Sequence, residues 1–139
     1  MDLERVQSPH TDALVVSLRV GDFLARRILI DPGSSADVVY YALFKRFRLS
    51  PEHLIEAEVP LVGFNSTPVW PLGHISMPVK AGTRSVDTDF VVVDVPSPYN
   101  IILGRTWLHR MEAIASTYLQ VVRFIGQNEP ESIYGDQVA

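Results

Sequence analysis

The chain has 139 residues, of which 47% are hydrophobic, so it is long enough and apolar enough to form one folded domain with its own core. It contains no cysteine, which excludes disulfides, a thiolate nucleophile and cysteine metal sites, and its formal net charge of -4 gives no general attraction to nucleic acid or to an anionic membrane. No apolar stretch approaches the ~20 residues of a membrane span and the charged start lacks a signal-peptide apolar region, so we expect an intracellular, cytoplasmic protein.

The first predicted elements form a β-hairpin. Residues 1–11 are a polar lead-in, and residues 13–20 are rich in β-branched side chains, which favours a strand. Residues 21–22, Gly and Asp, predict a turn, and residues 23–30 predict the returning strand. The hairpin therefore delivers Asp31 to its end.

The rest of the chain alternates short strands with Gly- and Pro-containing turns. A strand at residues 38–40 precedes a short helix at 41–47, and a second short helix follows at 106–111, with Thr106 as its N-cap. Residues 127–139 are polar and are expected to form a C-terminal tail. Further strands are predicted at residues 59–64, 69–79, 86–93, 100–105 and 118–124.

This pattern of short strands and two brief helices is typical of a mainly β barrel or sandwich. The large aromatic side chains Phe44, Trp70 and Trp107 are expected in its core.

Asp31 is the residue whose position most needs a chemical explanation. It follows three apolar residues in the segment 28–37, ILIDPGSSAD, and a buried charge is costly unless it is paired or protonated. One reading is an ordinary β-turn, in which Pro sets φ and Gly takes the permissive position. The other is a catalytic aspartate in a loop of the type Asp-x-Gly-Ser.

Other reaction chemistries find little support in the sequence. The four histidines are far apart and lack metal-ligand spacing, so no metal site is expected. The sequence has no Gly-rich phosphate loop and no Gly-x-Ser-x-Gly nucleophile elbow. Basic residues are not interleaved with aromatic residues, so we expect neither a nucleic-acid partner nor a cofactor.

Three segments, in the same order as in a known family, carry a resemblance. Residues 28–37 resemble the active-site segment of retropepsins, in particular the aspartic proteases of gypsy-type (Ty3-like) LTR retrotransposon polyproteins of plants. Residues 61–64 with 71–75 resemble the flap hairpin of that family, and residues 100–105, NIILGR, resemble the segment before its C-terminal helix.

The resemblance implies a fold, a partner and a reaction. The fold is a retropepsin-like closed β-barrel or sandwich with a flap hairpin, covering a protease domain at residues 12–126. The chain contains one Asp-x-Gly-Ser segment, so the second aspartate of a pepsin-like pair must come from an identical chain, and a homodimer is implied. The implied substrate is a polypeptide, the polyprotein that contains the domain.

The resemblance also implies roles for individual residues. Gly33 lets the backbone approach the carboxylate, Ser34 matches a position whose hydroxyl binds the aspartate, and Gly104 packs beside the loop. Arg105 resembles an arginine that ties the helix to the loop through an acid, and Asp37 is its expected partner. The implied active-site loop consists of catalytic Asp31 with Pro32, Gly33, Ser34, Ser35 and Ala36. The implied flap consists of Gly63, Phe64, Asn65, Ser66 and Thr67.

Pro32 departs from the family pattern, which has Thr or Ser after the aspartate. In the family, that hydroxyl and its backbone N–H form a hydrogen-bonded lock between the two subunits, and proline has neither group. Two hypotheses follow. The chain is an active dimeric aspartic endopeptidase with a weak dimer, or it is a retropepsin-fold domain without peptidase activity that serves as a binding or assembly module.

Overall fold

The structure, a computed structural model, describes residues 13–47, 51–56 and 70–136. Strands lie at β1 (Leu14–Val20), β2 (Phe23–Ile30), β3 (Asp37–Tyr40), β4 (Gly73–Ala81), β5 (Arg84–Val93), β6 (Ile101–Leu103), β7 (Ile114–Ser116), β8 (Val121–Ile125) and β9 (Pro130–Tyr134). Helices lie at α1 (Tyr41–Phe44) and α2 (Arg105–Met111), and single 3-10 turns at Lys45–Phe47 and Pro51–His53. The predicted lead-in at 1–11 and the predicted flap at Gly63, Phe64, Asn65, Ser66 and Thr67 lie outside the described residues.

Strands β1 to β6 form a closed barrel in the order β1-β2-β6-β3-β5-β4. Most neighbouring strands run antiparallel, but β2 pairs with β6, and β3 with β5, in parallel. The sequence prediction of a mainly β, closed-barrel fold is confirmed. Closure matters for the site, because it brings the end of β2 beside β6 and the start of β3.

The β1–β2 hairpin forms as its sequence predicts. Val20 pairs with Phe23 across a two-residue turn, and Gly21 takes a φ of +58°, a value that favours glycine at the first turn position. Side chains of β1 alternate between buried and more exposed, as expected for a strand with one face on the core.

The core fills the barrel interior and extends under α2. Phe44, Phe90 and Trp107 are among the largest fully buried side chains, and burying each contributes about 1.5–3 kcal/mol or more. The core assignment of Phe44 and Trp107 is confirmed, but that of Trp70 is wrong, since its side chain is 63% exposed. Trp70 precedes the first residue of β4, so it lies outside the inward alternation of that strand.

The C-terminal segment differs from the predicted tail at residues 127–139. Its residues 130–134 form β9, which pairs with β8 in a second, three-stranded sheet, β7-β8-β9. The Glu131 carboxylate accepts hydrogen bonds from the Thr83 backbone N–H (2.9 Å) and hydroxyl (2.7 Å). The Asp136 carboxylate accepts the Ser17 hydroxyl (2.7 Å). Polar composition misled the prediction, because these polar side chains bind the segment to the barrel.

Candidate active site

Asp31 lies where β2 leaves the barrel. Its backbone N–H donates to the Leu103 carbonyl at 2.9 Å, continuing the parallel β2–β6 pairing by one residue. Its side chain is neither buried nor fully exposed. The strand therefore holds the backbone of Asp31 rigidly while its carboxylate remains accessible from outside.

The turn after Asp31 folds back onto the carboxylate. The Gly33 N–H donates to Asp31 Oδ1 at 2.9 Å, and the Ser34 N–H donates to the Asp31 carbonyl at 3.0 Å. A Cβ at position 33 would lie 3.2 Å from that same Oδ1, a tight approach that glycine avoids. The expected close approach of Gly33 to the carboxylate is thus present, and Pro32 is exposed beside it.

The hydroxyl of Ser34 does not bind Asp31. It donates to the Ala36 carbonyl at 2.8 Å and accepts the Ala36 N–H at 3.3 Å. The role expected for this hydroxyl from the resemblance is therefore corrected: in this structure it stabilises the turn rather than the carboxylate. The physical reason is proximity, because these backbone groups two residues on are satisfied by a short local turn.

Gly104 joins the loop to the start of α2. A Cβ on this residue would lie 2.5 Å from the Ser34 carbonyl oxygen and 2.7 Å from that of Ala36, so no other residue fits without a shift. The next N–H, of Arg105, donates to the same Ser34 carbonyl at 2.8 Å. The expected packing of Gly104 beside the loop is observed.

Asp37 is the buried acid of the site. Its side chain is 3% exposed, and its Oδ1 accepts the Gly104 N–H at 2.8 Å. The backbone N–H of Trp107 also binds this carboxylate. Gly104 is the N-cap of α2 and has no side chain, so the carboxylate from β3 supplies the acceptor that a helix start needs.

Two expectations about this helix start are wrong. Thr106 is not the N-cap, because α2 begins at Arg105 and its N-cap is Gly104. The Thr106 hydroxyl instead donates to the Ser35 carbonyl at 3.2 Å. Arg105 and Asp37, both described, do not form an ion pair, and Arg105 is exposed. Asp37 lies beneath the N-terminus of α2, where its carboxylate accepts the backbone N–H groups of Gly104 and Trp107. The loop is tied to α2 through the Arg105 backbone rather than its guanidinium.

Burial raises the pKa of the Asp37 carboxyl above its ordinary value. The hydrogen bonds from Gly104 and Trp107 lower this pKa, the nearby charge of Asp89 raises it, and that of Arg110 lowers it, but burial has the largest effect. The folded protein therefore binds this proton more tightly than the unfolded chain does. The contribution of Asp37 to stability should decrease as pH rises from about 3.9, the ordinary value, through the raised pKa.

We expect Asp37→Leu to lower the free energy of unfolding by about 1–3 kcal/mol for each N–H left without an acceptor, whereas Asp37→Asn retains an acceptor and should cost less. Urea unfolding from pH 4 to 8 measures the free energy of unfolding of both variants and of the wild type. The wild type should lose stability relative to Asp37→Asn as pH rises, because the carboxamide does not titrate. Parallel pH profiles for these two proteins would show that the Asp37 carboxyl does not titrate differently on folding.

The structure brings together most of the predicted site. The loop at 31–36, Asp37 and Gly104 form one hydrogen-bonded unit, whereas the flap residues lie outside the described part. Sequence reasoning missed three contributors, the carbonyls of Leu103 and Ser35 and the N–H of Trp107. Backbone groups leave no sequence signal, although the apolar-apolar-Gly pattern before α2 marks the place.

The described residues contain no group of three or more metal-ligating side chains placed to hold a metal ion. Within the same ranges, no helix combines the length and apolar character needed to cross a bilayer.

The chain is similar in fold to several solved structures of retropepsin-like proteases or protease domains. The chain is similar to the retroviral protease-like domain of Ddi1 from Leishmania major, with a TM-score of 0.68 and 15% identity over 90% of this chain and 94% of that one. EIAV protease, complexed with the inhibitor HBY-793, gives a TM-score of 0.62 and 20% identity over 75% of this chain and 92% of that one. A retropepsin-like aspartic protease from Rickettsia conorii gives a TM-score of 0.58 and 11% identity over 91% of this chain and 86% of that one.

No protein-family model matches the chain, and no curated protein matches its sequence. At identities of 11–20%, the likeness to solved structures establishes the fold. With its closed six-stranded barrel, the chain has the fold of the retropepsin-like protease domains.

Proposed function

We propose that the chain is an aspartic endopeptidase that acts as a homodimer, with Asp31 as the catalytic residue of each subunit. The observation that carries this proposal is the position of Asp31, whose carboxylate remains accessible at the end of a barrel strand. Its loop is hydrogen-bonded on one side to β6 and on the other to α2. This geometry is that of a pre-organised reactive group on a rigid support.

The chemistry requires two carboxylates that share one proton around a water molecule. Two like charges that close cannot both ionise, so one carboxylate acts as the base and the other as the acid. The base takes a proton from the water as it attacks the peptide carbonyl, and the acid hydrogen-bonds the developing oxyanion. The chain has a single Asp-x-Gly-Ser segment, so the second Asp31 comes from a second copy.

A surface suited to a second copy lies on the three-stranded sheet. Ile114, Ile125 and Tyr134 share its outer face by strand register, and they are 75%, 58% and 66% exposed. Large apolar side chains gathered on one exposed face are typical of an association surface.

The substrate we propose is the polyprotein that contains the domain. Support comes from the resemblance of the segments at 28–37, 61–64 with 71–75, and 100–105 to retrotransposon proteases, which process their own polyproteins. The domain would then be concentrated by its polyprotein, which favours a dimer of low intrinsic affinity.

Peptide cleavage as a function of protein concentration tests this proposal. With polypeptides spanning the flanking junctions at mildly acidic pH, the rate should rise faster than linearly with concentration and should be inhibited by pepstatin. Ile125→Lys, which places a charge on the outer sheet face, should lower the rate at a given concentration. A linear dependence with unchanged activity of this variant would contradict a dimeric enzyme.

The alternative is a domain of the same fold that binds or assembles without cleaving. Pro32 is the observation that favours it, because this exposed residue provides neither the hydroxyl nor the N–H of the subunit lock described for the family.

Pro32→Thr is expected to strengthen the dimer. One or two added hydrogen bonds at about 0.5–1.5 kcal/mol each correspond to about 2- to 150-fold in the dissociation constant. Sedimentation velocity measures this change, with the exposed Pro96→Thr as the matched control. Equal dissociation constants for Pro32→Thr and wild type would show that the missing lock does not limit association.

A further inference from the structure

A groove separate from the Asp31 loop lies between the first half of β2 and the 3-10 turn at Lys45–Phe47. It encloses about 680 Å³. Phe23, Leu24 and Ala25 form one side, and Leu43 and Phe47 form the other. In the extended chain, Leu24 precedes Asp31 by about 20 Å, so the groove lies towards the opposite end of β2.

The groove offers apolar contact area that the other described elements leave uncovered. The Phe23 ring packs on the Phe47 ring with their centroids 5.0 Å apart, which fixes the position of both. Phe23 nevertheless remains 39% exposed and Leu24 52% exposed. Apolar side chains held in place beside a concave surface can receive another apolar side chain at little entropic cost.

The groove also contains an open strand edge. β2 pairs with β6 only from Ile28 onwards, so its first residues have β1 on one side and no strand of the described chain on the other. Val20 and Phe23 close a two-residue turn as a hydrogen-bonded pair, so the N–H and C=O of Leu24 point away from β1.

Asn100 supports this assignment of direction. Its side chain donates to the Arg26 carbonyl at 2.8 Å, from the side opposite β1. The β1–β2 register shifts after Ala25, so Arg26 has no partner in β1, and its carbonyl faces the Asn100 side of the strand, as the Leu24 carbonyl does. The Leu24 backbone therefore offers one donor and one acceptor to an added strand.

The charge around the groove is positive. Arg26, Arg27 and Arg46 line it, against the single acid Asp22. None of the three arginines forms an ion pair within the described residues. Arg27 is held by its Nε donating to the Pro98 carbonyl at 2.6 Å, whereas Arg26 and Arg46 are exposed.

We propose that this groove binds an extended peptide that has a large apolar side chain flanked by acidic residues. The apolar side chain packs beside Phe23 and Phe47, the backbone pairs with Leu24 as an added strand, and the acidic residues face Arg26 and Arg46. This mode of recognition takes affinity from main-chain hydrogen bonds and specificity from side-chain contacts. It does not depend on peptidase activity, and it would serve an enzyme or an assembly module equally.

Selection from a displayed library of random nine-residue peptides against the full chain tests the proposal. We expect enriched peptides to place Asp or Glu beside a large apolar residue. By fluorescence anisotropy, the double variant Arg26→Glu/Arg46→Glu should bind the best of them at least tenfold more weakly. Lys80→Glu is the matched control and should bind as wild type does, because Lys80 is an exposed lysine on β4, which lies on the far side of β1 from the open edge of β2.

Further measurements test the strand pairing, the location of the binding site and the binding of nucleic acid. N-methylation of the peptide backbone beside its apolar residue should weaken binding at least fivefold, because it removes a donor without changing charge. Asp31→Asn should bind the peptide unchanged, which distinguishes the groove from the proposed active site. The proposal is overturned if no acidic–apolar sequence is enriched or if charge reversal leaves binding unchanged. It is also overturned if a single-stranded 20-nucleotide DNA binds in an Arg26- and Arg46-dependent way and the peptides do not.

Discussion

Asp31→Asn is expected to lower kcat/KM for peptide cleavage by at least ~10³-fold, because a homodimer then loses both ionisable groups of its catalytic pair. The carboxamide oxygen can still accept the Gly33 N–H, now 2.9 Å from Asp31 Oδ1, so the loop should retain its conformation. Stability should therefore change by less than about 1 kcal/mol. Steady-state cleavage and urea unfolding of the same preparation measure the two quantities.

Asp87→Asn is the matched control for this substitution. Asp87 is exposed on β5, and its described hydrogen bond is made by its backbone carbonyl, which accepts the Arg110 guanidinium. This variant should cleave at the wild-type rate. Cleavage that survives Asp31→Asn would mean that another group performs the reaction, or that the activity belongs to a contaminating protease.

Gly104→Ala is expected to disrupt the junction between the active-site loop and α2. The added methyl would meet two carbonyl oxygens at 2.5 and 2.7 Å, and both belong to backbone that is already hydrogen-bonded. Overpacking of this kind costs about 1–3 kcal/mol, and relief requires the loop and the helix to separate. Under conditions where the variant is fully folded, kcat/KM should still decrease at least tenfold, because the displaced loop carries Asp31.

Gly21→Ala distinguishes a local effect from a general loss of stability. Gly21 has a φ of +58° and no heavy atom within 4 Å of the position of an added Cβ, so alanine there introduces backbone strain of about 1–2 kcal/mol without a clash. This variant should lose stability and keep its kcat/KM. A Gly104→Ala protein that also keeps full activity would show that the junction does not position the catalytic group.

The barrel was predictable because its signals are local. Alternating burial along β1, the Gly-Asp turn and the apolar runs of β5 and β6 each reflect a preference that neighbouring residues express without help from the rest of the chain. The Asp31 loop was recognisable for the same reason, since the apolar strand, the acid and the Pro-Gly turn all lie within one ten-residue segment.

Local signals failed where distant residues decide the outcome. The 127–139 segment is polar and was expected to be a tail, but Glu131 binds Thr83, 48 residues earlier in the chain, and β9 completes a sheet. Thr106 is a residue type that favours the N-cap position, but the acceptor at the start of α2 is the Asp37 carboxylate, which comes from β3.

The six strands of the barrel, the β1–β2 hairpin and one candidate catalytic aspartate per chain could be read from the sequence, because hydrophobic alternation and turn chemistry act between neighbours. Asp37 accepts the N–H of Gly104, 67 residues away, and not the guanidinium of Arg105, and this pairing follows from the tertiary fold rather than from any local pattern. Closure of the barrel places β3 beneath the start of α2, where a buried carboxylate is satisfied by backbone N–H groups that no sequence pattern specifies.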